Sequence, residues 1–175
     1  RQSPLAAATT GLELLQQRRE LTVQSARFLT KQVTRRELVP VLPDGLLTSS
    51  RTLMVAGTVR YVLDLAHLSQ ADLSWNAATR TLVVRRPPLL VSEPQFHVQD
   101  MSQMEEGRIV LWLTGSEPEL DKANWAKASA DVRGAAQAPA LVESARQSAD
   151  KALTDLFRLP MAAAGFADVK VEIVG

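Results

Sequence analysis

The sequence has no cysteine, which excludes disulfides, thiolate metal sites and cysteine nucleophiles. Aromatic residues make up only 5% of the 175 residues and do not alternate with arginine or lysine, so a stacking platform for single-stranded nucleic acid is not expected. A net charge of +1 argues against a strongly cationic nucleic-acid binder. No stretch approaches the roughly 20 apolar residues of a membrane-spanning helix.

Motifs that would indicate chemistry are also missing. The chain has neither glycine-rich phosphate-binding pattern, G-x-x-x-x-G-K-[S/T] or G-x-G-x-x-G, and no G-x-S-x-G pattern of a serine nucleophile. Its two histidines, His67 and His97, lie in different predicted elements without a metal-ligand spacing, so both are interpreted as structural. We therefore expect no cofactor, no metal site and no catalytic residue that the sequence can name.

What is present is an ordinary globular composition, with 46% hydrophobic and 22% charged residues. The charge is uneven: residues 1–90 carry a net +6 and residues 91–175 a net −5. Either the two halves complement each other when packed, or the basic half faces an anionic membrane surface. Because the chain opens at Arg1 without an initiator methionine, we also expect a signal or anchor upstream.

The pattern along the chain predicts strands first and helices later. Residues 1–11 are interpreted as a linker or frayed start, and residues 12–175 as one domain. Predicted strands cover 20–38, 52–65, 73–75, 81–85, 95–101 and 108–113, with Pro87-Pro88 ending a sheet segment. For 20–38, a helix continuing to Phe28 is the competing interpretation.

Helices are predicted for 118–132, with Gly134 as a stop, and for 140–157, ended or kinked by Pro160. The spacing Ser116-Glu-Pro-Glu119 is typical of a helix start. Residues 169–174 alternate as a final strand. The predicted fold is α+β: a mostly antiparallel sheet of about five to six strands, two C-terminal helices on one face and a C-terminal strand.

The strand Gly57–Leu65 carries the two polar candidates. Val55, Gly57, Val59, Tyr61 and Leu63 share an apolar face, whereas Arg60 and Asp64 lie on the other face. The simpler interpretation of Arg60 and Asp64 is a surface charge pair, and the functional one is a polar site on the sheet. Gly57 is interpreted as a position of close packing or a bulge. The tryptophans Trp75, Trp112 and Trp125 are predicted to be core or interface anchors.

An ordered set of segments resembles the bacterial domain of unknown function 4230. These segments are the Leu53–Leu65 strand, Glu20–Val23 before it, the strand ending in prolines at Leu82–Pro88, an alanine-spaced helix and Gly165–Val171. The set spans about residues 12–174. Two positions depart from the family pattern, since Val62 replaces a second glycine and Arg86-Pro87 replaces Leu-Pro.

The resemblance implies a bacterial envelope protein with an N-terminal anchor ahead of this domain, and it implies no activity. The leading hypothesis is therefore a domain tethered outside the cytoplasm that acts by binding or assembly, with a protein partner or self-association, and without nucleic acid. The alternative is a small-ligand-binding domain or an unrecognised hydrolase that uses the polar face around Arg60 and Asp64.

Overall fold

The computed structural model describes residues 3–37, 48–100 and 122–175. Their helices and strands follow in chain order: α1 Pro4–Gln16, β1 Glu20–Glu37, β2 Thr48–Asp64, β3 Leu73–Asn76, β4 Thr81–Arg85, β5 Leu89–Val91, β6 Gln95–Asp100, α2 Lys122–Ala136, α3 Pro139–Ala163 and β7 Lys170–Val174. Two short 3-10 turns, Leu65–His67 and Gln70–Asp72, connect β2 to β3.

These elements form two compact units. The first contains residues 1–25, 60–92 and 137–175, and the second contains residues 26–59 and 93–136. The long strand β2 contributes to both. The prediction of one domain over residues 12–175 stays a prediction.

The first unit is built on a three-stranded sheet in the order β3-β4-β7. Leu82 and Val84 of β4 are fully buried in one core with Leu153 and Phe157 of α3. The opposite face of the sheet presents Lys170 and Glu172, which are exposed. This alternation follows from the period of two along a strand, so that one face of the sheet lies under α3 and the other is polar.

Helix α1 packs across α3 in the same unit. It begins at an N-cap, where the Ser3 hydroxyl accepts a hydrogen bond from the amide of Ala6 at 3.2 Å, followed by Pro4 in the first turn. Ala7 and Ala8 are buried. The interpretation of these N-terminal residues as a linker is therefore wrong for Pro4 onward.

Helix α3 runs on past Pro160, so the predicted break there is wrong. Its buried residues recur every fourth position: Ala145, Ala149, Leu153, Phe157 and Met161. A β-carbon at Gly11 of α1 would lie 2.9 Å from Cγ of Pro160. The missing side chain at Gly11 thus leaves room for the proline ring, and the backbone bond that the proline removes lies only one turn from the helix end.

The last strand pairs parallel to β4, with Leu82 opposite Val171 and Val84 opposite Ile173. An ion pair fixes α3 beside this pair: the Arg86 guanidinium donates to both carboxylate oxygens of Asp150 at 2.6 and 2.8 Å. It also donates to the carbonyl oxygen of Gly175 at 2.6 Å. Arg86 therefore links the ends of β4 and β7 to the middle of α3.

The second unit pairs β2 with β6 in antiparallel register, with Ala56 opposite His97 and Gly57 opposite Phe96. Helix α2 covers this pair at Gly57, where a β-carbon would lie 2.8 Å from Cγ2 of Val132. The interpretation of Gly57 as a site of close packing is confirmed. The Trp125 ring meets Phe96 edge to face, with ring centroids 4.7 Å apart.

The predicted α+β class is confirmed, with three differences in detail. The strands form two sheets, because β1, β2, β5 and β6 make a four-stranded sheet of their own. The prolines at 87 and 88 do not end sheet pairing, since β5 follows them and pairs antiparallel with β2, placing Leu90 opposite Val62. The two long C-terminal helices belong to different units, α2 to the second and α3 to the first.

The predictions for individual helices and strands are also partly confirmed and partly wrong. Strand predictions for β1, β2, β3, β4, β6 and β7 are confirmed, so the competing helix up to Phe28 is wrong. Helix α2 continues through Gly134 to Ala136, so the predicted stop at Gly134 is wrong. Trp75 packs against the core of the first unit, and Trp125 is exposed on α2. The predicted strand 108–113, Trp112 and the helix start at Ser116 lie outside the described residues.

Candidate functional site

The structure separates the two polar candidates on β2. Four residues along a strand span about 13 Å, too far for a direct ion pair, so the charge pair proposed for Arg60 and Asp64 is wrong. The Arg60 guanidinium donates to the Thr22 hydroxyl at 3.4 Å, and the Arg60 amide donates to the Ser92 hydroxyl at 2.8 Å. Arg60 therefore links strands at the sheet surface.

Asp64 acts at the end of β2. One carboxylate oxygen accepts from the amide of Ala66 at 3.2 Å and so caps the following turn. The other oxygen lies 2.6 Å from Nδ1 of His67, whose side chain is 72% exposed. The contact orients the imidazole ring on the surface. The hypothesis of a ligand or hydrolase site around Arg60 and Asp64 stays a prediction.

The spacing S-x-x-K, known from some serine nucleophiles, occurs at Ser148–Lys151. It lies inside α3, where the Ser148 hydroxyl oxygen is 3.5 Å from the side-chain oxygen of Gln24. Asp150, between these two residues, is bound by Arg86. A serine nucleophile is normally exposed on a strained turn or at a helix start, so this placement indicates a structural role for Ser148.

Acidic side chains form no metal centre in the described residues: no group of three or more histidines and carboxylates is placed to hold an ion there. The acidic residues Glu105, Glu106, Glu117, Glu119 and Asp121 lie outside the described residues. His97 lies on β6, where it is exposed. Within residues 3–37, 48–100 and 122–175, no helix is both long enough and apolar enough to cross a bilayer.

Among the described residues, two groups have a pKa shifted from its ordinary value. Burial raises the pKa of the Tyr61 hydroxyl. A hydrogen bond from the Arg80 side chain, with further help from its charge, lowers the pKa of Asp168. The Arg80 Nε lies 2.9 Å from Asp168 Oδ2, so the pair joins the β3–β4 turn to the segment before β7. Tyr61 belongs to the strand core and Asp168 to the surface.

One concave surface of the first unit lies where α3 ends and β7 begins. We call it the α3–β7 surface. A groove of about 510 Å³ is lined by Asp155, Arg158, Leu159, Ala162, Phe166, Ala167 and Val169. A second groove of about 340 Å³ shares Arg158, Ala167 and Val169 with the first and extends to Lys170 and Val171. Together the two grooves run continuously from Leu159 to the outer strand.

Leu159 is the most exposed large apolar side chain among the described residues, at 69%. It projects from the outward ridge of α3, opposite the buried stripe that includes Phe157. No local sequence pattern groups these residues, because they are brought together only by the packing of α3 against β7. The isolated apolar residue at 159, outside the buried stripe, is the signal that could have indicated it.

Comparison with known families shows what this fold is related to. The family model described as "protein of unknown function (DUF4230)" matches residues 15–171. The chain belongs to this family. The match covers most of the chain and confirms the resemblance carried by the Leu53–Leu65 strand. Searches of curated proteins and of solved structures gave no significant match.

Membership of DUF4230 assigns no activity, so the site must be argued from this chain's own geometry. The match contains β2, β4, α3 and the first strand residues of β7. The residues that line the α3–β7 surface therefore lie within the matched range. This surface combines the most exposed large apolar side chain among the described residues with a groove and a sheet edge.

Proposed function

We propose that this DUF4230 chain is a binding or assembly domain of a membrane-tethered protein of the bacterial cell envelope, and that it acts through the α3–β7 surface. The observation that carries the proposal is Leu159, exposed at the rim of the groove lined by Ala162 and Phe166. Scattered exposed leucines are common, but an exposed leucine beside a preformed apolar groove is typical of a contact surface.

The energetics favour contact with a macromolecule. Burying a leucine side chain contributes roughly 1.5–3 kcal/mol, so covering Leu159 supplies an anchor of the size expected at the centre of an interface. Asp155 and Arg158 add charges of both signs at the rim of the groove. An apolar centre with a charged rim is the general organisation of protein–protein interfaces.

The charge distribution supports a tether near a membrane. Arg18, Arg19 and Arg60 are exposed on the first unit, within the half of the chain that carries the net positive charge. Each basic residue near an anionic leaflet contributes about 1 kcal/mol of attraction. The expected arrangement is an anchor upstream of this domain, with the basic residues close to the lipid head groups.

In-cell photocrosslinking tests both parts of the proposal. A photoreactive amino acid replaces Leu159 in the complete gene product, and the matched control places it at Gln147. Gln147 is exposed on the same helix, three turns away and outside the groove. The proposal predicts a discrete crosslinked product at 159 that is found in the membrane fraction and is absent for 147.

Two results would argue against it. Equal crosslinking at positions 159 and 147, or no crosslinking at either, would contradict the proposal that the α3–β7 surface binds a partner. A product found only in the cytosolic fraction would contradict the membrane tether while leaving the surface intact. The first failure concerns Leu159 and the second concerns localisation, so the two parts are tested separately.

A further inference from the structure

The outer edge of β7 is open in the part of the chain that the structure describes. In the order β3-β4-β7 the strand stands last. The amide of Lys170 donates to the carbonyl of Arg80 at 3.1 Å, and the amide of Arg86 donates to the carbonyl of Val174 at 2.8 Å. In a parallel ladder, residues 170, 172 and 174 therefore bond to β4, whereas Val171 and Ile173 direct their amides and carbonyls outward.

The side chains of this edge are self-complementary. Lys170 and Glu172 lie on the exposed face of the sheet, two residues apart, and neither has an ion-pair partner among the described residues. Two copies can pair antiparallel so that the Val171 of one lies directly opposite the Val171 of the other, which we call pairing about Val171. In that register each Lys170 lies opposite the Glu172 of the other copy. These opposed positions are the closer, non-hydrogen-bonded pairs of the ladder, where opposite charges stabilise and like charges destabilise.

The alternative registers lack this match. Pairing about Glu172 would place two glutamates opposite each other, and pairing about Ile173 would place Glu172 opposite Val174. Only the register about Val171 joins outward-pointing amides and carbonyls while forming two lysine–glutamate pairs. Charge therefore selects one register and one partner: a strand with the same sequence running in the opposite direction.

We propose that the partner of the α3–β7 surface is a second copy of this chain, joined through antiparallel pairing of β7 about Val171. The inference rests on the proposed function, because it names the occupant of that surface. The two three-stranded sheets become one six-stranded sheet in the order β3-β4-β7-β7-β4-β3. Main-chain bonds at Val171 and Ile173 supply the contact, and the charge pairs set its register.

The groove beside the strand belongs to the same contact. It reaches Val171 through Arg158 and Val169 and continues to Leu159 on α3. A second copy whose β7 adds to the edge brings its own α3 to the same face of the sheet, since α3 covers the inward face in each copy. The edge and the apolar groove are thus covered by one partner.

A lysine on an edge strand usually discourages pairing with unrelated strands. Lys170 serves that purpose against partners without an acid at the matching position. Because Glu172 lies two residues later, the β7 strand of a second copy does offer an acid opposite Lys170 and can pair. The same pair of residues therefore opposes indiscriminate aggregation and permits one defined contact.

Charge reversal tests the register by sedimentation velocity over a concentration series at low salt. Lys170→Glu makes the edge acidic, and Glu172→Lys makes it basic. Each variant alone turns two attractive pairs into repulsive ones, and we expect its dimer dissociation constant to rise at least about tenfold. An equimolar mixture of the two restores both pairs, so the mixture should dimerise as the wild type does.

The controls carry the same charge changes elsewhere: Lys127→Glu on α2 and Glu13→Lys on α1, both exposed. They should dimerise like the wild type, and circular dichroism should show unchanged folding for all four variants. Wild-type chain that stays monomeric at millimolar concentration overturns the proposal. Loss of dimers in both β7 variants without recovery on mixing overturns the register and with it the pairing.

These results separate this inference from the proposed function. If position 159 crosslinks to a different protein and the wild-type chain is monomeric, the proposed self-pairing is contradicted and the proposed binding function is not. If each charge-reversal variant loses the dimer and the mixture regains it, but no crosslink forms at position 159 in cells, the pairing of the isolated chain is supported. The cellular binding function proposed for the α3–β7 surface is then contradicted.

Discussion

Gly57→Ala is the substitution whose outcome depends most directly on the packing of the second unit. Gly57 does not have the positive backbone angle that favours glycine, since among the glycines of the described residues only Gly165 and Gly175 do. In open space, replacing such a glycine with alanine stabilises a protein by about 0.4–1 kcal/mol, because the unfolded chain loses freedom. Any loss of stability must therefore come from contacts of the new methyl group.

The contacts at Gly57 are too short for that methyl. It would lie 2.8 Å and 3.2 Å from the two γ-carbons of Val132, and 3.0 Å from Cε1 of Phe96. Ordinary carbon–carbon contacts are about 3.5–4.0 Å, so Val132 must move by more than half an ångström. Valine is restricted to one main rotamer in a helix and cannot swing away. Overpacking of this kind costs about 1–3 kcal/mol, which outweighs the gain.

Urea unfolding followed by far-ultraviolet circular dichroism measures the outcome. We expect Gly57→Ala to lower the free energy of unfolding by about 1–2 kcal/mol. The matched control is Gly134→Ala in α2, where nothing lies within 4 Å of the added carbon. That change should raise the free energy of unfolding by about 0.5–1 kcal/mol, because alanine favours helix.

A second substitution identifies the neighbour responsible. Val132→Ala removes both γ-carbons that crowd Gly57, so the cost of Gly57→Ala should shrink by about 1 kcal/mol or more in that background. The reasoning would be refuted if Gly57→Ala stabilised the chain as much as Gly134→Ala. It would also be refuted if the cost of Gly57→Ala were the same with and without Val132.

Two further predictions concern the ion pairs of the first unit. Asp150→Asn keeps the size of the side chain but removes the charge that binds the Arg86 guanidinium. Because the Arg86 and Asp150 side chains are only 13% and 35% exposed, we expect the free energy of unfolding in urea to fall by about 1–2 kcal/mol. An unchanged free energy of unfolding would contradict this prediction. Asp168→Asn tests the lowered pKa of Asp168: its stabilisation is present above about pH 4 and is lost as the pH falls through the lowered value. The variant should therefore melt below the wild type at about pH 6, and the difference should shrink as the pH falls through the lowered pKa of Asp168. A difference that does not change with pH would count against the Arg80 contact.

Local patterns predicted much of the fold. The alternation in β2 and β4 and the fourfold spacing of α3 are visible in sequence because each depends on one element's own exposure. The start of α1 was also encoded, in Ser3-Pro4, but the small residues that follow resemble a linker until α3 packs on them. These alanines become core residues through the packing of α1 on α3, whose Leu153 and Phe157 belong to the same buried cluster, and no local pattern specifies that packing.

The features that the sequence did not predict depend on contacts between residues far apart in the chain. The parallel pairing of β7 with β4 joins residues almost 90 positions apart, and Pro160 is accepted in α3 because Gly11 leaves space for its ring. The same holds for the α3–β7 surface, since Leu159 and Val171 belong to different elements. The candidates at Arg60 and Asp64 were correctly placed on one strand, but strand geometry keeps them apart and pairs Asp64 with His67.

Hydrogen exchange along β7 tests the role of the α3–β7 surface most directly. The amides of Lys170 and Glu172 bond to β4 in every state and serve as the internal reference, whereas those of Val171 and Ile173 point outward. If two copies pair through β7, exchange at Val171 and Ile173 slows as the protein concentration rises, while exchange at Lys170 and Glu172 stays constant. Outward amides that exchange equally fast at every concentration would contradict this pairing.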